Sequence, residues 1–356
     1  MRIRKLKRIL KKDEYFPYLI TDLNNIKYLT GFEGSNAFLF IDEKDSFLIS
    51  DSRYEEYIES LLTGSFKFHL QEGGAAGAIL ECMNAVQKKN IFIESHNVTL
   101  TFNYELKKAL KKIKIIPVYE DPVSRIRELK DEEEIDLLRE ACAITDRCFM
   151  HLLNFIKPGL TEWEIAVEID YFYKKNGCTA CSFDPIVASG PGASMPHYKP
   201  SQDKKIARGD VLLIDMGCLY RGYNSDLTRT IFLDSIDSLL GEIYNIVYEA
   251  QIKAVSSVKP GINSSKLDSI ARNIISDYGY GDNFGHGLGH GVGIEIHEPP
   301  AIKKFTSSRI KKNMVITIEP GIYIPGKGGV RIEDTVLVTS DGCEILTKCS
   351  KELIVI

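Results

Sequence analysis

Lys157-Pro158-Gly159-Leu160 returns about a hundred residues later as Lys259-Pro260-Gly261-Ile262, and a helical pattern follows each copy. Fifty-six residues beyond Gly159 stands Asp215, and fifty-eight beyond Gly261 stands Glu319, each closing an apolar strand pattern with glycine two residues later. A repeat of that length implies two related halves that bury a common core and meet face to face. A shared site between the halves follows, with acidic residues contributed by both.

Each half contains a strand, turn, strand pattern. In the first, Val211 to Gly217 precedes Tyr223 to Leu233, with Leu219-Tyr220-Arg221-Gly222 read as the turn. A symmetric loop about that turn sets Asp215 opposite Asp226. In the second, Met314 to Glu319 and Val330 to Val336 flank the turn Pro325-Gly326-Lys327-Gly328-Gly329, which sets Glu319 opposite Glu333. Opposed residues have Cβ atoms roughly 5 Å apart, where two carboxylates repel by about 3 kcal/mol at an effective dielectric near 20. A cation between them reverses the sign. On a period of two, Asp215 shares a face with Val211 and Leu213, so burying it requires a cation or a raised pKa. A single such carboxylate reads as an exposed strand residue, whereas four in matched hairpins read as a site.

Between the hairpins, Phe284 to Glu298 holds His286, His290 and His297, with glycine at every second position from 285 to 293. That pattern argues against helix and for a backbone that comes close to something. It matches neither GxGxxG nor GxxxxGK(S/T), and HExxH is absent because His297-Glu298 runs into two prolines. His197 ends a loop-like, small-residue stretch from Phe183; His69, His96 and His151 have no comparable setting. Four carboxylates and an imidazole form a hard, oxygen-rich donor set suited to two divalent ions, Mn²⁺ or Co²⁺ ahead of Zn²⁺ or Fe²⁺. Two ions about 3.5 to 4 Å apart can share a hydroxide and polarise a carbonyl, which makes amide hydrolysis the leading chemistry.

The rest of the 356-residue chain is compatible with that reading. Short apolar runs alternate with amphipathic stretches from Tyr15 to Tyr119, so the expected organisation is an α/β (α+β) chain with an N-terminal lobe over residues 1–122 and a catalytic domain over 123–356. Asp121-Pro122 marks the break. Thr161 and Glu164 form a capping-box pattern. A net charge of −4 gives no global attraction to nucleic acid or anionic membrane. No apolar stretch approaches the roughly 20 residues of a membrane span, and no signal-peptide pattern opens the chain, so the expected location is the cytoplasm. Residues 1–12 carry seven Lys or Arg with Ile3, Leu6, Ile9 and Leu10 at helical spacing, read as a packed helix rather than a targeting segment. The eight cysteines are scattered, and Cys178-x-x-Cys181 lacks partners for a zinc ribbon.

Ile214-Asp215-Met216-Gly217, Ser225-Asp226-Leu227-Thr228-Arg229-Thr230, His286 to His297, Glu319-Pro320-Gly321-Ile322-Tyr323 and Gly329-Val330-Arg331-Ile332-Glu333-Asp334 together resemble the signature of the pita-bread metallopeptidases, which include aminopeptidase P, prolidase and methionine aminopeptidase. Asn25 to Phe32 resembles the N-terminal lobe of the aminopeptidase P and prolidase branch. The resemblance implies five metal ligands, Asp215, Asp226, His290, Glu319 and Glu333. Asp226 and Glu333 would bridge two ions, Asp215 would chelate one, and His290 with Glu319 would hold the other. It further implies Glu319 as proton acceptor, His286 and His297 as residues contacting substrate and the tetrahedral intermediate, His197 beside a proline pocket, Arg331 supporting the ligands, and Phe183 as an apolar wall. The implied activity is release of an N-terminal residue from short peptides with proline second, by an Xaa-Pro aminopeptidase. The alternative is a prolidase limited to dipeptides. A methionine aminopeptidase, a non-catalytic binding module and metal-free creatinase-like hydrolysis are further rivals. A homodimer, with the N-terminal lobe serving dimerisation and substrate access, is also implied.

Overall fold

The computed structural model describes residues 2–356 as a mixed α/β chain in two units, one ending at Arg127 and the other running from Glu128 to Ile356. The first begins with a helix, Arg2–Lys12, that buries Ile3, Leu6 and Leu10 on one stripe and leaves Ile9 half-buried. Six strands follow: β1 (Tyr18–Ile20), β2 (Phe38–Ile41), β3 (Ser46–Ser50), β4 (Lys67–Leu70), β5 (Asn90–Glu94) and β6 (Lys114–Val118), in the order β4-β3-β2-β1-β5-β6. The helices Ala75–Val86 and Leu100–Ala109 pack Ile79, Met83 and Leu106 against Leu19, Phe40, Ile49 and Ile91 of this sheet. At the end of β5, buried Glu94 accepts hydrogen bonds from the N–H groups of Thr21 and Asp22 and from the Asn25 amide, fixing the start of the helix Leu23–Thr30. Asp121 caps the turn Ser124–Arg127, and Arg127 donates to Asn25. This network carries the unit past the Asp121-Pro122 break.

The second unit is built twice over. Its strands are β7 (Ala180–Cys181), β8 (Ile186–Ser189), β9 (Val211–Met216), β10 (Cys218–Tyr220), β11 (Tyr223–Asn224) and β12 (Leu227–Phe232), then β13 (Gly289–Gly291), β14 (Glu298–Ile302), β15 (Val315–Ile318), β16 (Gly321–Ile324), β17 (Gly328–Arg331), β18 (Asp334–Val338), β19 (Cys343–Ile345) and β20 (Ile354–Val355). The main sheet of the first half runs β20-β12-β9-β8 and that of the second β14-β13-β15-β18-β19. Helices Glu132–Phe155 and Glu162–Lys175 cover one through Leu152, Ile165, Ile169, Leu212 and Ile231; helices Ser238–Ser257 and Ser264–Asp277 pack Val247, Leu267 and Ala271 with Leu213, Ile316 and Val336.

The repeated Lys-Pro-Gly segments do the same work in each half. Gly159 and Gly261 both sit in the left-handed region, with φ of 98° and 88°. Gly159 donates to Ile206 and receives Ile206 N–H at Leu160; Gly261 donates to Ile310, whose N–H returns to Ile262. The next residues, Thr161 and Asn263, cap the following helices, and Thr161 forms the expected box with Glu164.

The second hairpin has the expected register. Ile318 pairs with Asp334 and Gly321 with Arg331, which leaves Glu319 facing Glu333 in the gap between two ladders. The first does not. Asp215 pairs with Thr228, Leu219 with Asn224 and Tyr220 with Tyr223, so Asp226 lies across from Gly217 and the two aspartates are diagonal neighbours on one face. The cause is the turn. Arg221 and Gly222 both have positive φ, 47° and 85°, forming a two-residue primed turn that matches strand twist. Centring the loop one residue later moves every partner by two.

Where the two sheets meet, Arg229 is 2% exposed. It donates to the Asp334 carboxylate at 2.8 Å and to the carbonyls of Glu333, Cys349 and Ser350. Removing the guanidinium leaves Asp334 with Lys351 as its remaining cation and deprives the carbonyls of Glu333, Cys349 and Ser350 of a donor. Arg229→Met is expected to destabilise the unit by about 2–4 kcal/mol, read as a lower urea midpoint.

Candidate metal centre

The facing ends of the hairpins and the glycine-rich segment line a cavity of about 490 Å³. Asp215, Asp226, His290, Glu319 and Glu333 all reach it, as do Phe183, His197, His286, His297 and Arg331. Every site residue singled out in the sequence is therefore brought together, from segments more than a hundred residues apart. Asp226 and Glu333 are almost wholly buried, at 4% and 2% exposure.

His290 is delivered by β13. An added Cβ at Gly289 would lie 2.0 Å from the Thr317 carbonyl oxygen, so the backbone of β13 approaches β15 at a distance only glycine permits. Gly287, Gly289 and Gly291 are explained by the neighbouring strands; a Cβ at Gly293 would meet the Glu298 carboxylate, and Gly285 stands in open space. Nδ1 of His290 faces the Gly291 carbonyl at 3.1 Å and donates to it, which leaves the Nε2 lone pair for the cavity. Nε2 lies 3.5 Å from Asp226 Oδ2 and 3.4 Å from Glu319 Oε1. Donor atoms of Asp226, His290 and Glu333 lie within 4.8 Å of one another.

Electrostatically the cluster is unbalanced. Burial, then Glu333 and Asp215, push the Asp226 carboxyl well above its ordinary range; burial, then Glu319 and Asp215, do the same to Glu333. Glu319 is raised to about 7, chiefly by burial and against the pull of Arg331. Burial lowers His290. Among the described residues Arg331 is the only guanidinium in the cavity wall and meets Asp215 Oδ2 at 2.5 Å, while Asp215 Oδ1 is buried with no hydrogen-bond partner. An orphaned carboxylate oxygen, three carboxyls held away from ionisation and a neutral imidazole nitrogen fit a divalent cation centre. A second trio, Glu94, His96 and Asp121, has similar spacing, but its carboxylates already serve Thr21, Asp22, Asn25, Val123 and Ser124.

Three supporting residues were not singled out from the sequence. Thr228 Oγ donates to Glu333 at 2.7 Å and accepts from Arg331 Nε; Thr317 Oγ donates to Glu319 at 3.1 Å and accepts from His290 N–H. Tyr323 OH accepts from Arg331 at 2.8 Å and so donates to His286 Nε2, also at 2.8 Å. His286 Nδ1 in turn donates to the Gly287 carbonyl. This fixes His286 as neutral, consistent with a pKa lowered to about 4 by burial and then by Arg331. Thr317 and Tyr323 keep strand parity with Glu319, and Thr228 with Asp226, so all three were legible on that ground; the register of the first hairpin hid only that Thr228 lies opposite Asp215. His297 packs edge-on against His290, with ring centroids 4.4 Å apart, and is lowered by burial and then by His290. His197 and Phe183 also line the cavity, His197 exposed and Phe183 half-buried.

Comparison with known proteins shows the same architecture elsewhere. Residues 136–340 match the description of metallopeptidase family M24, and residues 2–129 that of the creatinase/prolidase N-terminal domain. An Xaa-Pro dipeptidase of Pyrococcus horikoshii is 41% identical over 99% of this chain and 98% of its own length. The structure of an Xaa-Pro dipeptidase from Bacillus anthracis covers 100% of this chain, and 99% of its own, at a TM-score of 0.96 and 37% identity. That of an X-Pro aminopeptidase from Thermotoga maritima covers 97% of this chain and 99% of its own at 0.88 and 36%.

The raised carboxyls make metal-free stability depend on pH. Glu319 titrates near 7 when folded and near about 4.3 when unfolded, so its neutral form favours the fold below the unfolded value. That contribution is lost as pH rises through 7. The metal-stripped protein is expected to melt at progressively lower temperature from pH 4.5 to 8, with added Mn²⁺ or Co²⁺ abolishing the decline.

Proposed function

Because the chain belongs to metallopeptidase family M24 and is a peptide hydrolase, we propose that it is an Xaa-Pro dipeptidase, cleaving the bond between a first residue and a C-terminal proline. The observation that carries this is the near full-length match, at 41% identity, to a protein described as an Xaa-Pro dipeptidase. The aminopeptidase reading favoured by the motifs alone takes second place, supported by the similarity to the Thermotoga enzyme. Both share one mechanism and differ in how long a peptide they accept.

In this reading Asp215, Asp226, His290, Glu319 and Glu333 would hold two divalent ions, Mn²⁺ or Co²⁺. Bound there, the ions would polarise the scissile carbonyl and activate a water. Glu319, at the cavity and held by Thr317, would take the water's proton. Arg331 holds Asp215 in place, and through Tyr323 keeps His286 neutral with its ring aimed along the cavity wall. His297 would steady the developing charge on the carbonyl oxygen, whereas His286, with Nδ1–H given to Gly287 and Nε2 taken by Tyr323, has no N–H to spare and contacts the substrate as part of the cavity wall. Proline's tertiary amide has no N–H and leaves as an imino nitrogen that must gain a proton; His197 and His297 are the donors within reach of the cavity. Phe183, with Pro185, Ile186 and Pro196, gives the pyrrolidine ring an apolar wall. We further propose a cytoplasmic homodimer, on the resemblance of the whole chain to its family.

Hydrolysis of an Xaa-Pro dipeptide is expected with Mn²⁺ or Co²⁺ present and to vanish on chelation. A Glu319→Gln variant should lose about 10²–10⁴ in kcat. Full activity after complete metal removal would sink the mechanism.

A further inference from the structure

His197 reaches the cavity on an arm that leaves the end of β8 at Ser189 and rejoins the scaffold at Ser201. After the short helical turn Gly190–Ser194 the arm runs as turn and loop, so side-chain contacts must fix its course. Both of its ends are tied to one side chain. Glu162, at the start of the helix Glu162–Lys175, is 0% exposed. Its Oε1 accepts the N–H and the hydroxyl of Ser189 at 2.8 and 2.7 Å, and its Oε2 accepts Tyr198 OH at 2.8 Å and Ser201 N–H at 3.0 Å. Lys204 Nζ lies 3.2 Å from Oε1 and also donates to the Ser189 carbonyl. Burial opposes ionisation of Glu162, but these donors hold its carboxyl below the ordinary range. Gly192 makes room for the arrangement, since an added Cβ would lie 3.1 Å from both Lys204 Nζ and the Tyr198 ring.

The second half shows how much of this the helix start itself requires. Ser264 follows its Lys-Pro-Gly segment at the position that Glu162 holds after the first. Both residues are fully buried, and both give their N–H to the returning chain, Glu162 to the Lys204 carbonyl and Ser264 to that of Ser308. Ser264 adds only a hydroxyl, donated to Thr306. The carboxylate is therefore particular to the half whose arm carries His197. That histidine directly precedes the anchored Tyr198, and its charge is felt at His297 and Glu319 across the cavity.

We propose that Glu162 is a positioning residue for departure of the proline: it does not line the cavity, but by clamping Ser189, Tyr198 and Ser201 it holds His197 where the leaving nitrogen needs its proton. As the C–N bond breaks, its electron pair stays on nitrogen and takes a proton from the His197 imidazolium, which recovers one from solvent. The role rests on reading His197 as the donor. Glu162→Gln keeps one accepting oxygen for Ser189 but turns an NH₂ group toward Ser201 N–H, which releases the far end of the arm.

The test measures kcat and KM on an Xaa-Pro dipeptide, with bound manganese, for the wild type, Glu162→Gln, Tyr198→Phe, His197→Ala and the first two each combined with His197→Ala. Glu162→Gln should lower kcat about 10- to 100-fold with KM and bound manganese little changed, and Tyr198→Phe should lower it less. In the His197→Ala background neither should lower kcat further, because the group through which they act is gone. Losses of the same factor in both backgrounds, or an unchanged kcat in both single variants, would overturn the assignment and leave the dipeptidase reading standing. Should Glu162→Gln fail to fold, Tyr198→Phe decides by the same comparison. If His197→Ala alone leaves kcat unchanged, the donor reading of His197 fails and the assignment with it. A wild type inactive on Xaa-Pro removes the dipeptidase reading itself, and the assignment falls with that too.

Discussion

Four carboxylates converge on one cavity with a single guanidinium in the wall to offset them. Two unit charges about 5 Å apart repel by about 3 kcal/mol at an effective dielectric near 20, and each of the four has the others as neighbours. No arrangement of the polypeptide alone relieves this. The raised carboxyl pKa values are the protein's response when protons are the only cations to hand. Divalent ions are the response that leaves the side chains charged and the site able to act on an amide.

Holding such a cluster requires that each member be restrained by something other than its neighbour. Thr228 supports Glu333, Thr317 supports both Glu319 and His290, and the chain from Asp215 through Arg331 and Tyr323 ends on His286. Behind these, Arg229 fixes the backbone at Glu333 and answers the charge of Asp334, which also receives Gln251 and Thr347. The supports are hydroxyls, a phenol and guanidinium groups, which donate without adding negative charge. The scaffold is thus chemically opposite to the site it holds.

How much of this was legible in the sequence differs between the two hairpins. Glycine and proline cluster in the second turn, its centre was evident, and Glu319 faces Glu333 as the pattern requires. The first turn offered four candidate residues with one glycine, and an arginine adopting positive φ is uncommon enough that pattern alone centres the loop elsewhere. Asp215 and Asp226 still reach one site because an error of two residues in partner preserves the face. The ligand positions and the face of Thr228 survived the misreading; the pairing of Thr228 with Asp215 did not. At Gly287, Gly289 and Gly291 the pattern declared a close approach, and packing shows that strands are what approaches.

The gap in the second hairpin's ladder, at Ile332 and Glu333, has a consequence for how the halves relate. Freed from its own sheet, Glu333 N–H donates to Thr228 of the other half, Thr335 Oγ donates to the carbonyl of Asp226, and Thr230 exchanges hydrogen bonds with Arg331. A duplicated sequence usually suggests parts that could be severed. Here each copy leaves polar groups bare that only the other copy satisfies, so the two are inseparable. The doubling is a record of pattern, and the cooperative object is the pair.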